Sequence, residues 1–341
     1  MAATDLASTA KALVAENKGI LAADESFPTI EKRFKAISIE STEENRRAYR
    51  DMLFTTPGLE EFISGVILFD ETIRQSSSDG TNFAELLQSR GIIPGIKVDA
   101  GAKDLALFPG EKVTEGLDGL RGRLEEYREL GARFTKWRAV INIDGDDIPT
   151  RFALNANTHA LSRYAALSQE AGLVPIVEPE VMMDGPHSIQ RCYEVTEQTL
   201  TSLFEHLTLH RVSLEGTLLK TNMVLSGKEA GDRAGVEEVA RMTVDCLKAT
   251  VPAEIPGVVF LSGGQSDEES TAHLSAMNQI GGFPWELSFS YGRALQAPAI
   301  AAWKGDPANV EAGQRALYHR AKLNGAARSG AYRPEMENEA A

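Results

Sequence analysis

The feature that most constrains the fold is a regular alternation of short apolar runs with longer amphipathic stretches. Such β-prone runs, separated by helical periodicity, are typical of parallel βαβ units. Eight of them occur within about 270 residues, and this count favours a closed (β/α)8 TIM barrel, an α/β fold, over an open sheet. The eight runs cover residues 19–24, 65–70, 93–99, 134–140, 174–180, 218–224, 257–263 and 286–292.

The alternation also bears on domain organisation. A chain of 341 residues fits two small domains or one large barrel, and no linker or low-complexity tract divides this one. Helical patterns precede the first run, over 5–17, and follow the last, from about 305 to 325. We therefore predict a single barrel domain over residues 1–325, with these extra terminal helices, and a flexible polar C-terminal tail over residues 326–341.

Charge and composition narrow the partners. A net charge of −14 argues against nucleic acid and against anionic membranes, while a local cationic pocket could still bind a small anionic substrate. No apolar stretch reaches the roughly 18–20 residues of a membrane span, and the N-terminus lacks the pattern of a signal or transit peptide. The two cysteines fit free thiols in a reducing compartment. We expect a cytoplasmic protein that binds neither nucleic acid nor membranes.

Charged side chains interrupt several of the apolar runs. The run GTLLKTNMVL at 216–225 has a lysine at its centre, and charged residues are rarely buried without a partner. Taken singly, each such charge could be a solvated strand end or part of a structural ion pair. Catalytic groups of a TIM barrel lie at the C-terminal ends of its strands, so one shared polar site explains all of them together. The polar residues in question are Asp24, Lys97, Asp99, Lys136, Arg138, Glu178, Glu180, Lys220, Asn222 and Ser262.

Strand geometry predicts which of these side chains share a face. Side chains alternate along a strand, so residues two apart point the same way. The pairs expected to point together are Lys136 with Arg138, Glu178 with Glu180, and Lys220 with Asn222. Their neighbours Trp137, Val177 and Pro179 are expected to face the outer helices.

Two glycine-containing loops suggest phosphate binding. The loop after the seventh run, LSGGQSDEES, contains Ser262 and Gly263, and the segment SYGRA after the eighth contains Gly292 and Arg293. Exposed backbone amides at such turns bind phosphate oxygens, and the loops after strands seven and eight form the usual phosphate site of this fold. Ordinary turns are the alternative reading of both loops.

The constellation predicts a Schiff-base reaction. A neutral lysine amine attacks a carbonyl carbon, but at the ordinary lysine pKa only about one in 2,500 is neutral at pH 7. Burial of Lys220 and a nearby cation, with Lys136 as the candidate, would lower its pKa. Glu178 could act as general acid and base, and Asp24 could take a hydroxyl proton. These roles together predict metal-free carbon–carbon cleavage beside a carbonyl.

Histidine placement gives no sign of a catalytic metal. All six histidines fall in helix or loop patterns rather than at strand ends, and no HxxEH or clustered Cys/His spacing occurs. His206 and His210 are one helical turn apart, late in a surface-like helix. We expect no metal site and no cofactor in the reaction.

Eight ordered motifs between about residues 5 and 325 resemble the class I, Schiff-base fructose-bisphosphate aldolases. The motifs are GILAADES, STEENRR, GIKVD, TKWRAV, PIVEPE, LLKTNM, FLSGGQS and SFSYGRALQ. The resemblance implies a metal-independent (β/α)8 aldehyde-lyase, usually a homotetramer, of glycolysis and gluconeogenesis. Such an enzyme reversibly cleaves fructose 1,6-bisphosphate into dihydroxyacetone phosphate and glyceraldehyde 3-phosphate.

The resemblance also implies a role for each matching residue. Lys220 matches the Schiff-base lysine, Glu178 the main acid/base and Glu180 its supporting neighbour. Asp24 matches the carboxylate that handles the C4 hydroxyl. The remaining matches are the cation pair Lys136 and Arg138, the C1-phosphate residues Ser262, Gly263 and Arg293, and three residues of the phosphate-binding region for which the phosphate that each serves stays open, Lys97, Ser26 and Arg33.

Three departures from the family pattern leave alternatives open. Thr221 stands where the family usually has proline. Phe27-Pro28 replaces a smaller pair, and this second departure raises the question of a singly phosphorylated or shorter substrate. The chain also lacks the C-terminal tyrosine of the animal enzymes, and its last tyrosine is Tyr332. An inactive scaffold that binds partners through its acidic surface is the non-enzymatic alternative.

Overall fold

The computed structural model describes residues 3–339, with the side chains of residues 5–339. Each of the eight apolar runs overlaps one strand of a closed, all-parallel barrel, so the TIM-barrel prediction is confirmed. A short antiparallel hairpin, which the sequence did not predict, follows the third barrel strand. In chain order the strands are β1 Gly19–Ala22, β2 Ile63–Leu68, β3 Ile93–Lys97, the hairpin β4 Ala102–Asp104 and β5 Lys112–Thr114, β6 Phe134–Ile141, β7 Val174–Val181, β8 Leu218–Thr221, β9 Gly257–Phe260 and β10 Glu286–Tyr291.

Helices surround the barrel and connect its strands. Side-chain caps define several of their starts, and Ser266 forms a capping box with Glu269. No described helix is both long and apolar enough to cross a membrane. The helices are α1 Ala3–Leu13, α2 Phe27–Ala36, α3 Glu43–Phe54, α4 Asp70–Ile73, α5 Phe83–Ser89, α6 Leu120–Glu129, α7 Arg151–Glu170, α8 Ile189–Leu209, α9 Val236–Thr250, α10 Asp267–Ile280, α11 Arg293–Trp303 and α12 Val310–Arg328.

Apolar side chains fill the N-terminal end of the barrel and leave its C-terminal end to polar side chains. Apolar residues of α1, including Leu13, pack with inward-facing residues such as Ile20 and Phe134 and close the N-terminal end. Outside the strands, Trp137 stacks on Tyr164 of α7, with ring centroids 5.5 Å apart, as strand alternation predicts. The C-terminal strand ends are therefore where polar side chains gather.

The described part of the C-terminal segment packs more closely than the flexible tail we expected. Helix α12 continues to Arg328, and a short 3-10 turn follows at Pro334–Asn338. Tyr332 is only 7% exposed, and its hydroxyl donates a hydrogen bond to Glu337 over 2.9 Å. Arg320 of α12 binds the same carboxylate over 2.6 Å. These contacts hold the segment against α12.

Candidate active site

A cavity of about 800 Å³ opens at the C-terminal ends of the barrel strands. The predicted catalytic and phosphate-binding residues line it, because they lie at this end of their strands, in the loops that follow or, for Arg33 and Arg293, in the next helix. These residues are Asp24, Ser26, Arg33, Lys97, Lys136, Arg138, Glu178, Glu180, Lys220, Ser262, Gly263, Gly292 and Arg293.

Four of these residues form one continuous chain of charges. Lys220 Nζ lies 3.1 Å from Glu178 Oε1, and Lys136 Nζ lies 3.1 Å from Glu178 Oε2. Lys136 Nζ also lies 2.7 Å from Asp24 Oδ2. All four residues are at most 9% exposed, so their charges are screened little by water. Two carboxylates and two amines alternate across the mouth of the barrel.

Local sequence explains how the chain of charges arises. Lys136 on β6, Glu178 on β7 and Lys220 on β8 occupy inward-facing positions of three strands that neighbour one another. Asp24 follows β1 by two residues, where the barrel closes. In the β6–β7 pairing, Arg138 lies opposite Glu178. Arg138 comes two residues after Lys136, so the two side chains point to the same face.

The protonation of the site follows from these contacts. Burial alone would raise the pKa of Asp24, but the nearby ammonium groups of Lys136 and Lys220 outweigh burial and lower this pKa to about 2. The same balance lowers the pKa of Glu178. Burial would lower the pKa of Lys136, whereas Asp24 and Glu178 outweigh it and raise the pKa. At neutral pH both carboxylates are therefore ionised and Lys136 is a cation.

A second layer of ion pairs supports this centre. Arg138 donates from Nε to Glu180, so Glu180 is held beside the centre rather than against Lys220. Lys97 Nζ lies 2.8 Å from Asp99 Oδ1, and the other oxygen of Asp99 accepts from the backbone amide of Arg138 over 3.2 Å. Asp99 thereby joins β3 to β6 at the mouth of the barrel.

The loops after β9 and β10 form one wall of the cavity. Gly264 has φ +77°, and a Cβ there would lie 2.2 Å from Met183, so only glycine fits this turn. Arg293 pairs with Asp267 over 2.8 Å and donates to the carbonyl of Ser262 over 3.1 Å. The guanidinium is partly exposed and faces the same cavity as the loop.

A second wall of the cavity lies at the start of α2. Ser26 is the N-cap residue, but its side chain caps no backbone amide, and its hydroxyl instead lies 3.3 Å from the hydroxyl of Thr29. Pro28 lines the cavity and has no N–H to offer. Phe27 instead packs edge-on against Phe69, with ring centroids 5.3 Å apart, and is 47% exposed. The Phe27 ring therefore does not line the cavity at this wall.

Sequence reasoning missed the network that holds this second wall in place. The carboxylate of Glu25 accepts hydrogen bonds from Arg33 and from the buried Arg50 of α3. Gln296 of α11 donates to Glu25 over 2.8 Å and accepts from Tyr49 over 2.9 Å. An arginine on the buried face of α3 was the available signal, since such a charge requires a partner.

One orientation expected from the sequence is wrong. Asn222 was expected to face the site with Lys220, but β8 ends at Thr221, so strand alternation stops before it. The Asn222 amide instead donates to Thr196 of α8 over 3.1 Å, and its oxygen accepts from the amide of Val181 over 3.0 Å. Asn222 fastens the end of β8 to its neighbours.

The structure also shows where two departures from the family pattern lie, Thr221 and the last tyrosine, Tyr332. Thr221 pairs with Phe260 in the β8–β9 ladder, and its carbonyl accepts from the amide of Leu261 over 3.1 Å. The residue that replaces the usual proline therefore continues the sheet directly after the lysine. Tyr332 does not line the cavity, because its hydroxyl is bonded to Glu337 in the packed tail.

Comparisons with known proteins agree on one family. A family model described as fructose-bisphosphate aldolase class-I matches residues 5–341. A probable fructose-bisphosphate aldolase class 1 of Xanthomonas axonopodis pv. citri is 62% identical over 334 residues, 98% of this chain and 100% of the relative. A fructose-bisphosphate aldolase of Dictyostelium discoideum is 52% identical over 335 residues, 98% of this chain and 94% of the relative.

A solved structure shows the same likeness in three dimensions. It is a fructose-bisphosphate aldolase from Plasmodium falciparum in complex with TRAP and a small-molecule inhibitor. The two chains are 49% identical and superpose with a TM-score of 0.95, over 97% of this chain and 95% of the other.

Proposed function

This chain belongs to the class I fructose-bisphosphate aldolase family, and on that premise we propose that Lys220, Glu178, Asp24 and Lys136 carry its chemistry. It is an aldehyde-lyase of glycolysis, and the characteristic reaction of the family proceeds through a lysine Schiff base. The observation that supports the assignment is the buried chain of contacts from Lys220 through Glu178 and Lys136 to Asp24.

Glu178 moves the protons of Schiff-base formation. Lys220 first transfers a proton to Glu178 across 3.1 Å, and its free amine attacks the C2 carbonyl carbon of the substrate. Two protons leave the nitrogen in all, and Glu178 passes both to the departing oxygen, which leaves as water. The protonated imine that remains keeps the single positive charge that Lys220 brought.

Asp24 accepts the proton of the cleavage step. Its carboxylate takes the proton of the C4 hydroxyl, and the C3–C4 bond breaks as C4 becomes an aldehyde. The electron pair of that bond moves to C3–C2 and neutralises the imine nitrogen, which gives an enamine. Lys136 stays protonated 2.7 Å from Asp24 and stabilises the negative charge that develops on the C4 oxygen while its proton moves to Asp24.

The two walls of the cavity favour a bisphosphate over a monophosphate. Arg293 with the Ser262–Gly263 loop offers one cationic, amide-rich wall, and Lys97 and Arg33 with Ser26 offer the other. One phosphate at each wall places the sugar carbons across the central charges. A singly phosphorylated substrate would leave the donors of the second wall without a phosphate to bind.

Lys97→Met is expected to raise KM for fructose 1,6-bisphosphate about tenfold and to change KM for fructose 1-phosphate less than twofold. A charge-assisted hydrogen bond to phosphate is worth about 1.5–3 kcal/mol, which is about ten- to a hundredfold in binding. Steady-state kinetics with both sugars measures the split, and Lys248→Met on the exposed face of α9, outside the cavity, serves as the control. An equal rise in KM for the two sugars would remove Lys97 from the second phosphate site.

Borohydride trapping tests the proposed nucleophile. Enzyme incubated with dihydroxyacetone phosphate and reduced should carry the triose phosphate mass on the peptide that contains Lys220, since reduction turns an imine into a stable amine. We expect full trapping with and without EDTA. An adduct on another lysine, or activity lost to EDTA within the assay, would refute the assignment.

For assembly and location we propose a cytoplasmic homotetramer. The family resemblance supports the tetramer, and the two buried free thiols, Cys192 and Cys246, suit a reducing compartment. Light scattering should give about four times the chain mass of 37.0 kDa. A mass of one or two chains would contradict the tetramer.

A further inference from the structure

Three histidines lie together outside the catalytic cavity. His159 belongs to α7, His206 to α8, and His210 is the C-cap residue of α8. One ring nitrogen of each lies within 4.8 Å of the other two, and within residues 5–339 no other group of three potential His, Cys, Asp or Glu ligands gathers so closely. Two of the three rings are half-buried and the third is exposed, so the cluster is open to ions from solution.

The packing of α7 on α8 holds the cluster together. Thr158, adjacent to His159, shares a hydrogen bond of 2.9 Å with Ser202, which lies one turn before His206. The ring of His159 therefore lies over the i,i+4 pair on α8, with ring centroids 5.7 Å from His206 and 5.0 Å from His210. Two helices thus present three imidazoles at one point.

A hydrogen bond already fixes one ring in the tautomer that suits a ligand. His210 Nδ1 lies 2.8 Å from the backbone carbonyl of His206. A carbonyl can only accept, so Nδ1 carries the hydrogen and Nε2 keeps a free lone pair. Metal-binding histidines typically donate their other nitrogen to a carbonyl or carboxylate in this way.

Two charged side chains near the cluster act in opposite directions on a bound cation. Arg163, one turn from His159, opposes it, and Glu205 beside His206 favours it. A histidine binds a metal ion through the lone pair of its neutral imidazole.

We propose that His159, His206 and His210 form a structural site for a divalent transition-metal ion of the zinc class, which links α7 to α8. Three nitrogen ligands with water in a fourth position suit Zn²⁺, Co²⁺, Ni²⁺ or Cu²⁺ rather than Mg²⁺ or Ca²⁺. Tetrahedral bonds of about 2.0–2.1 Å place ligand atoms about 3.4 Å apart, so rotations of these accessible rings complete the site. None of the three lines the catalytic cavity, so the ion takes no part in the Schiff-base reaction.

Calorimetric titration of the EDTA-treated, dialysed enzyme with Zn²⁺ tests the site. We expect one ion per chain, and His159→Gln and His206→Gln should each weaken binding at least tenfold. The matched control is His319→Gln on α12, outside the cluster. Co²⁺ should give visible absorption bands of tetrahedral coordination in the wild type and the control alone. Zn²⁺ binding that is absent from the wild type, or equal in all four proteins, would overturn the proposal.

Thermal unfolding gives a second readout that does not depend on the affinity measurement. Zn²⁺ at about a hundred times its Kd should raise Tm of the wild type by about 3 °C, because it binds only the folded helix pair. The two cluster variants should show no rise, and kcat should stay unchanged in all four proteins, which also verifies folding. An equal rise in the variants, or kcat that falls on metal removal, would refute a structural site at this cluster.

Discussion

Lys220→Met is expected to lower kcat by about 10⁵-fold or more and to abolish borohydride trapping. Methionine keeps the length and apolar stem of the side chain but has no amine, so no imine forms and the electron sink for cleavage is lost. Removal of a covalent nucleophile costs about this much in other enzymes. Turnover of fructose 1,6-bisphosphate and the mass of the reduced enzyme are the measurements.

The control separates chemistry from folding. Lys248→Met makes the same exchange on the exposed face of α9 and should leave both readouts unchanged. Glu178 keeps its contact with Lys136 in the Lys220 variant, so the variant should fold and show a native circular dichroism spectrum. A trapped adduct in Lys220→Met would mean that another lysine forms the imine.

Asp24→Asn is expected to lower the rate of cleavage about 10³- to 10⁴-fold while Schiff-base formation continues. The amide has nearly the shape of the carboxylate but cannot take the C4 hydroxyl proton, and a general base contributes about this factor. Lys220 and Glu178 keep their direct contact in the variant. Reduction in the presence of fructose 1,6-bisphosphate should therefore trap the uncleaved hexose on Lys220.

The trapped species decides the role of Asp24. Loss of all trapping in Asp24→Asn would mean that Asp24 positions the lysines and does not act as the cleavage base. Asp245→Asn, on the exposed face of α9, is the matched control. Since the pKa of Asp24 is about 2, this carboxylate stays ionised down to about pH 3, and its protonation should cause no loss of activity above pH 4.

Much of the site followed from local sequence because strand alternation is a local rule. Within their apolar runs, the alternating positions of Lys136, Glu178 and Lys220 predicted that each side chain points into the barrel. The barrel topology predicted that the site lies at the C-terminal ends of the strands. The rule failed at Asn222, since where a strand stops depends on pairing with its neighbours. The sequence of one strand alone therefore says little about the residue at which that strand ends.

Residues from distant segments were beyond the reach of this reasoning. Arg50 and Gln296 lie 246 positions apart in the sequence, and both approach Glu25 in the folded chain. His159 likewise meets an i,i+4 pair on the next helix. The spacing of residues along one helix does not indicate which residues of another helix they will contact. Such contacts are set by the packing of the helices in the folded chain.

By itself, the sequence determined the eight-stranded barrel, the end that holds the chemistry and the lysine at its centre. These follow from periodicity and from the high free-energy cost of burying an unpaired charge. Only the tertiary structure decided the pairing: Glu178 between two lysines, Lys136 against Asp24, and Arg138 on Glu180. The physical reason is that an ion pair depends on distances of a few ångströms between strands, and these are set by closure of the whole barrel.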